Sequence, residues 1–173
     1  FQEIYAASFQ VSTVISLLTA VAFTVIIFAL PLIGIQDDWI RPAQWIVACE
    51  GLATCFIVFF SPTINMLVVR ENFFWHNAWT VVRRSAYLIA TVIPFLILQE
   101  PNLAKGLVMY GSTILIVNIV ATILVVFGFL IVDKQMMPTL IGSTPDAMKK
   151  VKGTFSWNSG VVLTINLQER AAN

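Results

Sequence analysis

Glu50 is the one carboxylate set inside an apolar stretch of this chain, and it lies about two turns from where that stretch begins. In hydrocarbon a charged side chain costs several kcal/mol unless it is paired. Three roles fit: a structural hydrogen-bond anchor, an ion- or proton-handling group, or a ligand to a pigment or lipid headgroup. Helical geometry names Asn65, Tyr87, Tyr110 and Asn118 as its partners, provided their segments neighbour its own. Arg83 and Arg84 open another apolar stretch, where long basic side chains snorkel to the interface. Alternatively, one of them reaches a carboxylate on an adjoining helix. Asn118 reads as interhelical glue, a bond contributing about 0.6–2 kcal/mol.

Other chemistry is sparse. His76 is the single histidine, so paired axial histidines for a haem cannot be assembled. Cys49 and Cys55 lie six residues apart within one apolar run, which is not a metal-ligand spacing. They read as small hydrophobes. The sequence contains no Ser/His/Asp set, no glycine-rich phosphate loop and no zinc signature. The expectation is therefore a protein with no enzymatic role; the residues leave a bound lipid or pigment open.

The elements that position these residues follow from composition. Of 173 residues, 58% are apolar and 11% charged. Soluble domains run at roughly 45–50% and about 25%. Mean hydropathy is +0.87. A soluble chain of this length cannot hide so much apolar surface, so the protein is read as integral to a membrane. A net charge of +1 without a concentrated basic face excludes nucleic acid as a partner.

A crossing helix needs about 20 mostly apolar residues. Four stretches qualify: 11–35, 43–69, 80–98 and 107–132. The fold class expected is an all-α integral membrane protein with four transmembrane helices, short loops and a C-terminal extramembrane tail. Residues 1–132 form the four-helix domain and 133–173 the tail. The connector 36–42 ends in Pro42, a normal residue at a helix start. The connector 70–79 is aromatic and polar, as suits either a loop or a short segment at headgroup level. The first stretch does not read as a signal peptide, being too long and preceded by no basic residue.

With four crossings, eight of the ten basic residues share a side with both termini, leaving only Arg41 and Lys105 on the other. The positive-inside rule places that richer side in the cytoplasm or its organellar equivalent; the organelle is not specified. In the tail, Lys149, Lys150 and Lys152 form a basic cluster, either a solvated charge run or a contact for anionic headgroups. Beyond it, Phe155 and Trp157 alternate with polar residues before Asn158-Ser159-Gly160. Val161, Leu163 and Ile165 then alternate with Val162 and Thr164. This pattern reads as a β-hairpin. A lone hairpin is marginal in water, so these five apolar residues are candidates for docking on a partner.

Glu50 in the second span, then Trp79, Arg83-Arg84-Ser85-Ala86-Tyr87 and Pro94 together resemble the flower family and the related COPI-associated four-span proteins. The likeness covers roughly 43–111. It implies a vesicle or Golgi membrane protein in which Glu50 lines a calcium path. There are departures: Gly51-Leu52-Ala53, not proline, follows Glu50; the interval from Trp79 to Tyr87 is longer than the family pattern; and the tail is unlike theirs.

Three function classes remain. The first is a non-catalytic accessory subunit packed within a larger energy-transducing or transport complex, with the bilayer and other membrane subunits as partners. It accords best with apolar helices that lack site chemistry. The second is a flower-like protein or small cation channel built on Glu50, which needs a ring of such groups from several copies. The third is a pigment- or quinone-binding subunit.

Overall fold

The computed structural model describes residues 2–97, 102–132 and 142–154. Four long helices account for most of them: α1 (Gln2–Ala29), α2 (Asp37–Val69), α3 (Phe73–Val92) and α4 (Leu103–Val132). No strand occurs among the described residues. The expected hairpin, with Phe155, Trp157, Val161, Leu163 and Ile165, lies outside them. Among the described residues, three helices are long and apolar enough to cross a membrane: Gln2–Ile33, Asp37–Val69 and Leu103–Ile131.

The helices outrun the apolar stretches. α1 begins at Gln2 rather than near residue 11, and α2 begins at Asp37 rather than near 43. Hydropathy marks the part of a helix suited to hydrocarbon, whereas backbone hydrogen bonding continues into polar sequence. Asp37 and Asp38 sit in the first turn of α2, where carboxylates complement the helix dipole. Pro42 and Pro62 both lie inside the helix. α3 shows the largest difference. It starts at Phe73, so most of the connector 70–79 forms its first two turns instead of a loop. At its far end Pro94 has no N–H to offer, and the chain loosens into a π turn over Ile93–Ile97. These polar and broken ends set α3 apart from the three long apolar helices.

The turns have identifiable causes. α1 tightens into a 3₁₀ turn at Leu30–Ile33, containing Pro31, and stops at Gly34 with φ 78°. At the end of α2, the Asn72 N–H reaches the Leu67 carbonyl (2.7 Å) and the Glu71 N–H reaches Val68 (3.0 Å). This is a Schellman cap. Its left-handed position is held by Glu71, φ 57°, where glycine is the usual residue. At the start of α4, Asn102 Oδ1 accepts the Lys105 backbone N–H at 3.2 Å, the geometry of an N-cap.

The chain divides into two compact units, Phe1–Val11 with Pro138–Asn173, and Ser12–Met137. In the first, Tyr5, Ala6, Ala7, Phe9 and Ala147 are buried. Ser143 donates to Gln10 Oε1 (2.8 Å) and Thr144 to Glu3 Oε2 (3.0 Å). Thr144 also accepts the Ala147 N–H at 3.3 Å, capping a helical segment over 145–154 that has Pro145 in its first position.

In the second unit α4 packs mainly on α2 and then on α3. From Gly111 onward its buried positions are Gly111, Ile114, Asn118, Ala121, Thr122, Val125, Val126 and Phe129. They recur every three or four residues, although the helix is apolar all round. Ile46 Cα would lie 3.2 Å from a Cβ at Gly111, and the Trp45 indole donates to Ser112 Oγ at 3.0 Å. Arg41 and Pro42, earlier on α2, line one groove with Asn102 and Lys105 at the start of α4, so the two helices run parallel with their N-termini at one end. Trp79 meets Thr122, whereas Tyr87 lies near Tyr110, so α3 runs antiparallel to α4. α3 approaches closely through Ala86 and Ala90, both fully buried. The α1–α2 pairs are Ser12 with Ser61, Ser16 with Cys55, Phe23 with Gly51 and Ile27 with Gln44, an antiparallel register.

Candidate functional site

The polar side chains of α3 recur at helical spacing. His76, Trp79, Arg83 and Tyr87 are three or four residues apart and so share one face. Trp79 is buried, and its indole N–H donates to Thr122 Oγ1 on α4 at 3.3 Å. The Arg83 guanidinium carbon stands 5.4 Å from the centroid of the Trp79 ring, a cation–π distance. One turn further, the Tyr87 hydroxyl comes within hydrogen-bonding reach of the Glu50 carboxylate on α2; Arg83 and Tyr110 lie within electrostatic range of Tyr87. Three helices thus bring a carboxylate, a guanidinium and two phenols together.

The cluster opens to one side. Tyr87 is 45% exposed, while Glu50, Arg83 and Tyr110 are half-buried. A phenol donor lowers the cost of holding a carboxylate in hydrocarbon. The half-open carboxylate can accept a hydrogen-bond donor from outside. It contains no nucleophile and base arranged for group transfer.

The remaining residues singled out from sequence lie elsewhere. Arg84 and Asn65 are exposed. Asn118 is buried, but its amide donates to the Ile114 carbonyl of its own helix at 2.8 Å. Cys55 Sγ donates to the Ser16 carbonyl at 3.4 Å while Ser16 Oγ donates to the Cys55 carbonyl at 2.9 Å, so this cysteine ties α1 to α2. Cys49 is buried and free. The ring of His76 is 6.2 Å from that of Trp79, and its Nδ1 is buried with no hydrogen-bond partner among the described residues. No group of three His, Cys, Asp or Glu side chains among the described residues could hold a metal. The Trp79–Thr122 bond was not foreseen; its signal in the sequence was a threonine on α4 one turn beyond Asn118.

No family model, no curated protein and no solved structure matches this chain.

Proposed function

We propose that this chain is a non-catalytic, four-crossing membrane component that works by packing against further membrane helices of a larger assembly. The observation that carries the reading is the side-facing cluster of Glu50, Arg83 and Tyr87. Lipid tails cannot hydrogen-bond, so a half-open carboxylate and phenol at membrane depth call for a polar cover. A neighbouring helix supplies one. α1 adds apolar contact area: its hydrophobic window is only 6% buried, and Val14, Leu18, Val21, Val25 and Phe28 form an exposed stripe at heptad spacing.

Four crossings rather than three accord with two features. α3 lies antiparallel along α4 from the level of Thr122 to that of Tyr110. In addition, Thr144 and Ser143 donate to Glu3 and Gln10, a pairing of the two ends of the described chain that accords with an even number of crossings. The basic residues then collect on the side of those ends, the cytoplasmic equivalent.

The cation-channel reading is weaker because the Arg83 guanidinium on the same face repels a permeating cation. The test is migration on a native gel in mild detergent, with co-migrating chains identified. Wild type should run in a species heavier than the chain alone, and Glu50→Leu with Tyr87→Phe should release it at unchanged helix content. Wild type running as a lone monomer would end the proposal.

A further inference from the structure

At the end of the second unit where α2 and α4 begin, Arg41, Pro42, Trp45, Asn102, Ala104, Lys105 and Val108 line an open groove of about 490 Å³. That volume falls within the roughly 300–1,000 Å³ typical of small-molecule sites. Its chemistry is divided. Pro42, Trp45, Ala104 and Val108 make the wall apolar, while Arg41 and Lys105 bring two cations to it from different helices. These are the two basic residues that the four-crossing arrangement separates from the other eight. Asp37 and Asp38 precede Arg41 on α2 but do not line the groove. The wall is a fixed one: the Trp45 indole is tied to Ser112 Oγ at 3.0 Å, and Asn102 caps the turn that carries Lys105.

We infer that this groove holds a membrane glycerophospholipid, with its phosphate between Arg41 and Lys105 and the first part of an acyl chain along Pro42, Trp45 and Val108. Charge selects the phosphate, since guanidinium and ammonium donors make strong bonds to phosphate oxygens. The apolar floor selects a lipid over a free phosphate ester, which has nothing to bury there. Position agrees, because tryptophan is favoured at headgroup level and both cations sit at helix starts, where the membrane boundary falls. The inference rests on the membrane reading but not on any partner, so the native-gel test above and the test below fail independently.

The test is native mass spectrometry of the purified full-length chain in detergent, titrated with palmitoyl-oleoyl phosphatidylglycerol. Wild type should retain one lipid in preference to further ones. Arg41→Gln with Lys105→Gln should bind roughly thirtyfold more weakly, the loss of two basic contacts at a membrane surface. Both side chains are exposed, so helix content should be unchanged. Arg41→Lys alone should keep most of the affinity, and Lys149→Gln with Lys150→Gln all of it. Four outcomes would overturn the inference: unaltered binding in the Arg41/Lys105 variant, an equal loss in the Lys149/Lys150 variant, equal binding of the matching diacylglycerol, or displacement of the lipid by equimolar glycerol 3-phosphate, which would assign the groove to a soluble ester.

Discussion

Gly51 of α2 packs directly against Phe23 of α1, and adding one methyl group there has a calculable consequence. A Cβ at this position would lie 2.7 Å from Phe23 Cγ, 2.8 Å from its Cβ and 2.9 Å from Cδ1. Ordinary carbon contacts begin at about 3.5 Å, so roughly 0.8 Å must be found. Turning the ring cannot supply all of it, because the Phe23 Cβ is itself too close. The helices must part, and overpacking of this kind costs about 1–3 kcal/mol. Replacing a glycine inside a helix returns about 0.8–1.0 kcal/mol. Gly51→Ala should therefore destabilise the chain by up to about 2 kcal/mol. With Phe23→Gly in place, all three close atoms are gone, and the same substitution should become neutral or stabilising. Unfolding measured by steric trapping in bicelles reads both backgrounds, and the double-mutant cycle should give a coupling of at least about 1 kcal/mol. If Gly51→Ala stabilises the otherwise native chain, as helix propensity alone would dictate, the close approach of α1 and α2 is refuted.

Two other expectations concern the same framework. Ser12 Oγ and Ser61 Oγ are 3.3 Å apart, so a Ser12→Cys/Ser61→Cys pair, with Cys49 and Cys55 replaced by alanine, should oxidise to an intramolecular disulfide in membranes. Failure to cross-link under mild oxidant would contradict the antiparallel register of α1 and α2. Glu71 occupies a left-handed conformation costing a non-glycine residue about 1–2 kcal/mol. Glu71→Gly should raise the melting temperature and leave the species on a native gel unaltered; a lower melting temperature would mean that the cap is not as described.

The apolar cores of α1, α2 and α4 were readable because hydropathy measures the very property that a bilayer selects. Helix ends were not, since Gln2, Asp37 and Phe73 begin helices in polar or aromatic sequence where hydropathy is silent. Pro42 looked like a boundary but lies inside α2. The cap at Glu71 was invisible for want of a glycine. Gly51 and Gly111 each meet a neighbouring helix, whereas Gly128 has open space around it, a difference that residue type alone does not reveal. The equivalent small residues of α3, Ala86 and Ala90, are fully buried, and nothing in the charged sequence around them signals it.

At the candidate site, Glu50 was evident from its isolation and Tyr87 from helical geometry. Asn65 and Asn118 met the same geometric condition yet point elsewhere. Spacing along one helix tells which residues share a face. It does not tell which face meets which helix. That depends on rotation about the helix axis, which here follows from close approach at Ala86, Ala90 and Gly111 rather than from the polar residues themselves.

The account depends most on α3 passing through the membrane along with the other three helices. Single cysteines at Asp37, Glu71, Lys105 and Lys149, in a background without Cys49 and Cys55, can be labelled in sealed oriented vesicles with an impermeant maleimide. The predicted result is that positions 37 and 105 react from one side and 71 and 149 from the other. Reaction of 71 and 105 from the same side would leave α3 outside the bilayer and contradict the four-crossing arrangement.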